Sequence, residues 1–224
     1  MDSTTPNVFL GFSSNELARL LESLAVFQPG GGAVIVANIA PRDKPPFLPR
    51  LDLRVQRVPL EDWNFRRGHD RLMLSTLGVR GKVGTFRAFS EAKGIEEKDF
   101  ATLLSPGVVV ASTVRIAPGC YLEPGVVIAP FTELEFSVSL NRGVTIGHHT
   151  KLGAYTSVNP GSHVAGHCRI GERVTIGMGA VVFDGLTVGD GSVIGGGSVV
   201  TKDVPPGVWA FGNPCKVVKE IVAA

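Results

Sequence analysis

Two adjacent histidines give the sequence its most evident acid–base chemistry. His148 and His149 follow a glycine in the segment Ile146-Gly147-His148-His149-Thr150. An imidazole accepts and releases protons near neutral pH, so a histidine that faces a bound substrate can serve as a general base. A histidine that faces only solvent does no chemistry. The role of this pair therefore depends on the element that positions it.

That element is a repeat with a period of six residues. An aliphatic side chain occupies every sixth position from Val110 to Val200 without a slip. A small or β-branched residue usually lies two positions earlier, and Gly or Ala often follows. An amphipathic helix cannot hold a period of six, and a plain antiparallel strand would show a period of two. The pattern predicts a triangular solenoid in which each hexapeptide forms one short strand and one corner.

The geometry of such a solenoid predicts where the histidines lie. Three hexapeptides complete one coil, so equivalent positions of successive coils are stacked, with His148 below Gly166 and Asn141 below Asn159. The aliphatic positions fill the interior. Because His148 follows a corner glycine and is outside this inward register, its ring should point outwards.

The first part of the chain has a different pattern, in which short apolar strands alternate with amphipathic helices. The predicted elements are strands over 7–11, 33–37 and 72–75, a helix that begins at Ser14, and a second amphipathic helix with Val79, Val83 and Phe86 along one face. This order favours a small parallel sheet with helical crossovers. We therefore expect an α/β Rossmann-like domain over 1–105 and a mainly β solenoid domain over 106–224.

Composition argues against several broad classes of protein. The chain of 224 residues has a formal net charge of +2, which provides no field to steer nucleic acid or an anionic membrane. It begins without the basic stretch and apolar core of a signal peptide, and no apolar run is long enough to span a membrane. Three cysteines without paired spacing argue against a disulfide framework. We expect a cytoplasmic protein.

Two stretches of the repeat carry a resemblance to a known family. They are NRGVTIGHHTKLGAYTSVNPGSHVAGHCRIG over 141–171 and the ending TKDVPPG…GNPCK. Both resemble hexapeptide-repeat acetyltransferases, in particular the nucleotide-sugar N-acetyltransferases and the sialic acid O-acetyltransferases. The resemblance implies a left-handed parallel β-helix, a homotrimer, acetyl-CoA as co-substrate, and an N-terminal domain that binds the sugar nucleotide.

The resemblance also assigns roles within the β-helix. His148 matches the general base, which takes the proton from the sugar amine or hydroxyl as that group attacks the thioester. Asn141 matches a residue near the acceptor sugar. The positions that match the acetyl-CoA site are Gly166, Gly196, Ser157 and Lys216. Lys216 would lie near the CoA phosphates, or would serve only to close the last coil.

The resemblance is looser in the N-terminal domain. The glycine-rich turn of the relatives corresponds to Gly11 and the residues after it, without the later glycines. The residues that would line a nucleotide-sugar pocket are Ser13, Ser14, Asn15 and Asn38, the last standing where relatives often carry Asp. The alternative is a purely structural βαβ lid. The lack of G-x-G-x-x-G and of an acid at the strand end disfavours a dehydrogenase.

The residue after the base departs from the family pattern. Relatives carry Asp or Glu there, which orients the imidazole and raises its basicity, whereas this chain has His149, whose neutral ring lacks that charge. Either another carboxylate substitutes or the base is weaker. His163 and His167 are four residues apart, unlike the pair five apart in zinc-binding β-helix carbonic anhydrases, so we expect no metal.

The sequence thus predicts an acetyl-CoA-dependent N-acetyltransferase that acts on the amino group of a nucleotide-linked amino sugar in polysaccharide biosynthesis. An O-acetyltransferase acting on a sialic acid or similar sugar is an open alternative. A non-catalytic solenoid that scaffolds or senses a sugar nucleotide is another. The presence of His149 where the acid is expected keeps the non-catalytic alternative open.

Overall fold

The chain divides into two units, Met1–Thr102 and Leu103–Ala224. The computed structural model describes residues 6–11, 14–27, 32–37, 54–76 and 78–221. Over these ranges, no helix combines the length and the apolar character needed to cross a membrane.

The first unit is built on a four-stranded parallel sheet. Its strands are β1 (Asn7–Leu10), β2 (Gly32–Ala37), β3 (Arg54–Pro59) and β4 (Arg71–Leu74), in the spatial order β3-β2-β1-β4. The helices described are α1 (Ser14–Phe27) and α2 (Val79–Lys93), and a short 3-10 turn follows at Glu97–Asp99. The central strand β1 is apolar after its first residue and buried throughout, as a strand covered on both faces must be. The expected small parallel sheet is confirmed.

Two features of this unit differ from the prediction. The sequence pattern does not predict β3, because this edge strand has the sequence RVQRVP and is mostly exposed. In α2 the three predicted positions are half-buried, whereas the buried residues of the helix are Lys82, Thr85 and Phe89. A lysine stem and a threonine can line a core, yet neither contributes to a hydrophobic pattern.

The second unit is a three-sided coil of short parallel strands. The first face contains β5 (Leu103–Leu104), β8 (Tyr121–Leu122), β11 (Ser139–Leu140), β14 (Ser157–Val158), β17 (Thr175–Ile176), β20 (Val193–Ile194), β22 (Val208–Phe211) and β23 (Lys216–Glu220), which runs antiparallel to β22. The second face contains β6 (Val109–Val110), β9 (Val127–Ile128), β12 (Thr145–Ile146), β15 (His163–Val164), β18 (Val181–Val182) and β21 (Val199–Val200). The third face contains β7 (Arg115–Ile116), β10 (Glu133–Leu134), β13 (Lys151–Leu152), β16 (Arg169–Ile170) and β19 (Thr187–Val188).

Each strand on a face pairs with the equivalent strand of the next coil, three hexapeptides further along, which confirms the predicted coil. On the second face Thr145 lies beside His163, and Ile146 lies beside Val164. The inward aliphatic positions form one continuous core, in which Ile146 and Val164 are 2% exposed and Val158 is fully buried. Burial of one such side chain contributes about 1.5–3 kcal/mol relative to its exposure, so the repeated core residues carry much of the stability of the coil.

The small residues that precede the strands are tied to the next coil by their hydroxyl groups. Thr150 donates a hydrogen bond to the carbonyl oxygen of Ala165 at 2.9 Å, and Ser162 donates one to Gly177 at 2.7 Å. Both hydroxyl side chains are at most 1% exposed. Because a buried hydroxyl without a partner is costly, these bonds explain how polar residues are accommodated beside the aliphatic core.

The third residue of most corners has a left-handed backbone conformation. Glycine adopts positive φ at little cost and occupies many of these positions, but Phe131, His149 and His167 have φ values of 60°, 56° and 54°. These three residues lie at one corner, in successive coils. A non-glycine residue in this conformation costs roughly 1–2 kcal/mol, so an aromatic ring is retained at each position against a backbone penalty.

We predict that Gly177→Ala destabilises the β-helix much more than Gly179→Ala. A Cβ on Gly177 would lie 2.4 Å from the backbone nitrogen of Gly196 in the next coil, so the two coils would have to separate. Gly179 has a φ of 65° but open space around its Cβ position, so its substitution costs only the roughly 1–2 kcal/mol of backbone strain. Urea unfolding followed by circular dichroism measures both values. Equal unfolding free energies would contradict this account of the coil contact.

Candidate active site

The predicted base lies at the corner that joins the second face to the third, which we call the histidine corner. It comprises residues 147–150 and their counterparts in the coils before and after. His148 follows β12 and is exposed, as predicted from its place outside the inward register. His149 and His167 are also exposed. The corner therefore presents three imidazoles on the surface of the β-helix.

The His148 ring has a different environment on each side. Its Nδ1 atom lies 3.2 Å from Nδ1 of His149, which is a hydrogen-bond distance between two ring nitrogens. On the other side, the position that a Cβ on Gly166 would occupy is 3.0 Å from the His148 Nε2 atom and 2.9 Å from Oδ1 of Asp184. The imidazole and the carboxylate therefore converge over the backbone of Gly166, which offers no side chain between them.

The other rings of the corner form a stack. The His149 ring lies 4.8 Å from the Phe131 ring and 5.0 Å from the His167 ring, with an interplanar angle of 17° between the two imidazoles. The His148 ring packs its edge against both imidazoles, at centroid distances of 5.3 and 4.9 Å. Ring nitrogens of the three histidines all lie within 4.8 Å of one another. The corner is thus a cluster of three histidines.

A cleft of about 400 Å³ opens beside this stack, towards the third face. Its charged lining residues are Glu133, Lys151 and Arg169. Glu133 forms an ion pair with Arg115, and Lys151 forms one with Glu135 at 2.7 Å, which raises the pKa of the Lys151 ammonium. Arg169 leaves a positive charge in the cleft, and this charge attracts anionic groups.

The cysteine beside the cleft has no reactive thiolate. Cys168 is fully buried, and its thiol donates to the carbonyl oxygen of Phe183 at 3.1 Å. Burial raises the pKa of this thiol above its usual value, so it stays protonated near neutral pH. Cys168 is a core residue.

The remaining predicted residues of the β-helix lie elsewhere. Asn141 is at the corner between the first and second faces, which we call the asparagine corner. It is 5% exposed, and its Nδ2 atom donates to the carbonyl oxygen of Val158 at 3.1 Å and to Oδ1 of Asn159 at 3.2 Å. Gly196 belongs to the same corner, Ser157 is buried in β14 beside it, and Lys216 is exposed on β23. Within one chain, the second face separates these residues from His148 and Gly166.

The predicted nucleotide pocket falls largely outside the described residues. Ser13 and Asn38 lie outside the described ranges. Ser14 and Asn15 are the first two residues of α1. For these two residues the structure describes the backbone only. The nucleotide-binding role of these four residues stays a prediction.

Comparison with known proteins supports an acyltransferase. The sequence pattern described as bacterial transferase hexapeptide (six repeats) matches residues 149–184 and 167–202. A crystal structure of a perosamine N-acetyltransferase mutant from Caulobacter crescentus, in complex with CoA and GDP-perosamine, is 26% identical in sequence, with a TM-score of 0.75 over 96% of this chain and 97% of that chain. The chain contains bacterial transferase hexapeptide repeats and is an acetyl-CoA-dependent acyltransferase.

Two further structures share the fold of this acetyltransferase. The acetyltransferase domain of PglB from Neisseria gonorrhoeae, in complex with acetyl coenzyme A, is 21% identical with a TM-score of 0.77, over 96% of this chain and 99% of that one. WeeI from Acinetobacter baumannii is 20% identical in sequence with a TM-score of 0.75, also over 96% of this chain and 99% of that chain. The predicted fold, a left-handed parallel β-helix after a small α/β domain, is confirmed. No curated protein sequence matches the chain.

Sequence reasoning did not place Phe131, His167 and Asp184 beside His148 at the histidine corner. Phe131 and His167 lie one coil before and one coil after His149, and Asp184 lies two coils after His148. The period of three hexapeptides per coil was sufficient to find all of them. At the position where the family commonly carries an acid, His149 lies within hydrogen-bond distance of His148, with 3.2 Å between the two Nδ1 atoms.

We predict that Gly166→Ala displaces the His148 ring without unfolding the acetyltransferase. The new Cβ would lie 2.9 Å from Cε1 of His148 and 2.9 Å from Oδ1 of Asp184, and both are ends of flexible side chains. The unfolding free energy should change by about 0.5 kcal/mol or less, while the NMR resonances of the His148 ring shift. Gly147→Ala is the control, since its Cβ would meet the backbone nitrogen of Gly166 at 2.4 Å and should destabilise the coil. An unmoved His148 resonance in Gly166→Ala would contradict the prediction.

Proposed function

We propose that this acetyltransferase transfers the acetyl group of acetyl-CoA to the amino group of a nucleotide-linked amino sugar, with His148 as the general base. The observation that carries the assignment is the placement of the His148 Nε2 atom over the bare backbone of Gly166, with Nδ1 held by His149. The substrate class is supported by the 26% identical perosamine N-acetyltransferase, which binds CoA and GDP-perosamine and aligns with 96% of this chain.

The contact between the two histidines supports a definite proton arrangement. If the His148 Nδ1–H donates to Nδ1 of His149, the Nε2 atom of His148 has a free lone pair that faces Gly166. This lone pair takes a proton from the sugar amine as its nitrogen attacks the thioester carbonyl. The tetrahedral intermediate then expels the CoA thiolate, which receives the proton. The products are the N-acetylated sugar and free CoA, and no covalent enzyme intermediate is required.

Gly166 contributes through its lack of a side chain. The His148 and Asp184 side chains close over this backbone, since a Cβ on Gly166 would lie 2.9 Å from each, so a thin ligand such as pantetheine reaches it when these flexible side chains turn outwards. Within the described part of the chain, the Gly166 N–H makes no hydrogen bond. We propose this N–H as a donor to the oxyanion that develops on the thioester carbonyl.

A complete site requires a second copy of the chain, so we propose a homotrimer. His148 and Gly166 lie at the histidine corner, whereas Asn141, Gly196 and Lys216 lie on the far side of the second face. That face carries apolar side chains in contact with solvent, since Val109 is 59% and Val127 is 42% exposed. Packing of the second face against a neighbouring copy would bury these valines and bring the two groups of residues together.

The free thiols support a reducing compartment. All three cysteines, Cys120, Cys168 and Cys215, are free. Free buried cysteines are typical of reducing environments, and we propose that the enzyme acts in the cytoplasm.

We predict that His148→Ala lowers kcat by roughly 10²-fold or more, because the amine loses its proton acceptor. Release of CoA is followed by thiol titration with acetyl-CoA and a panel of UDP-, dTDP- and GDP-linked amino sugars, together with sugars that offer only hydroxyl groups. His69→Ala is the matched control, since this exposed histidine belongs to the first unit and is not among the residues proposed for the site or for the subunit contact. Unchanged turnover in His148→Ala would refute the assignment of the base, and transfer only to hydroxyl groups would refute N-acetylation.

We predict that His149→Asp raises kcat, by up to about tenfold, because a carboxylate beside Nδ1 makes His148 a stronger base. The backbone tolerates the change, since Asp adopts the positive φ of 56° found here more readily than most residues. His149→Asn is the control, because it can accept the same hydrogen bond without the charge. A variant His149→Asp with lower kcat than His149→Asn would show that charge at this position does not assist the base.

A further inference from the structure

We propose that the three histidines of the histidine corner, His148, His149 and His167, bind a divalent transition-metal ion of the Zn²⁺ class. We further propose that the bound ion inhibits acetyl transfer by reversing the proton arrangement of His148. The proposal of a metal site depends only on the geometry of the three histidines. The proposal of inhibition also depends on the proposed function. The ion is an inhibitor of the enzyme and not a cofactor of the reaction.

The spacing of the ring nitrogens fits a tetrahedral ion. Zn²⁺ binds histidine nitrogens at about 2.0–2.1 Å, which places two nitrogens of one tetrahedron about 3.3 Å apart. The Nδ1 atoms of His148 and His149 are already 3.2 Å apart, and each of the three rings has a nitrogen within 4.8 Å of a nitrogen of the other two. Because the His149 and His167 rings are stacked at an interplanar angle of 17°, the exposed His167 ring must turn out of the stack to direct its nitrogen at the ion.

The surroundings of the cluster select the kind of ion. All three ligands are neutral nitrogen donors, which suit Zn²⁺, Cu²⁺ and Ni²⁺, whereas Mg²⁺ and Ca²⁺ prefer oxygen donors. The thiol of Cys168 does not add a ligand, because it is buried and its pKa is raised. The rings of His149 and His167 line the cleft, so a fourth position on the ion would be open to water or to a small anion.

Metal binding has a direct consequence for the base. An ion on Nδ1 of His148 displaces the proton from that atom, and a neutral imidazole then carries its proton on Nε2. The Nε2 atom, which faces Gly166, becomes a donor and can no longer accept a proton from the sugar amine. The ion therefore blocks the transfer without filling the space above Gly166.

Metal binding is tested on the full-length protein without substrates. We expect Zn²⁺ titration to show one ion per chain, and Co²⁺ to give the intense visible absorption of a tetrahedral site. His167→Asn should weaken binding by at least about tenfold, since loss of even an outer-shell partner typically costs 10–100-fold. Asn suits the positive φ at this position, so the fold is preserved. His163→Asn, on the second face, should bind Zn²⁺ like the unaltered protein.

Inhibition is tested with the same variants. We expect Zn²⁺ to lower the rate of acetyl transfer over the concentration range in which it binds, a chelator to restore the rate, and His167→Asn to keep its activity at Zn²⁺ concentrations that inhibit the unaltered enzyme. Binding that is unchanged in His167→Asn, or lost in His163→Asn, would overturn the metal site. Full occupancy by Zn²⁺ with undiminished acetyl transfer would overturn the inhibition. A chain that binds Zn²⁺ at this site but transfers no acetyl group without it would refute the proposed function and leave the site standing.

Discussion

The hydrogen bonds between successive coils determine the positions of the proposed site residues of the β-helix. On the second face, the Thr145 N–H donates to the Ser162 carbonyl at 3.1 Å, and the Gly147 N–H donates to the Val164 carbonyl at 2.8 Å. The bonding continues at the corner, where the His167 N–H donates to the His148 carbonyl at 2.8 Å. Since the backbone of one coil is bonded to the next in this way, side chains at equivalent positions of successive coils are held in one column. The histidine corner is a consequence of this register.

The hexapeptide period allowed the fold of the second unit to be predicted, because every coil repeats the same packing requirement. The prediction was less successful where no repeat constrains the chain. The edge strand β3 is mostly exposed, and the buried face of α2 uses Lys82 and Thr85, so neither shows the hydrophobic pattern on which the prediction relied. In both cases the partner elements determine what is buried, and those partners are not visible in local sequence.

The hexapeptide period also allowed part of the site to be predicted. The outward direction of His148 and its place below Gly166 follow from the period and are found in the structure. The ring contacts of His149 and His167 depend on side-chain rotamers, which the period does not fix. The burial of Asn141 is likewise a property of the folded corner, where its amide nitrogen satisfies two oxygens of the next coil. A residue type that suits a ligand can therefore also be required by the fold.

The bonding between coils also restricts how such a protein can change in length. Strands on each face are in register with those of the neighbouring coils, so the deletion of a single residue within an interior coil would turn every later aliphatic side chain away from the core. Whole coils can be added or removed without this damage, and extra residues can be accommodated where they leave a corner as a loop. Duplication of complete turns is accordingly the path by which a gene for this fold can lengthen while the order of side chains in each column is kept.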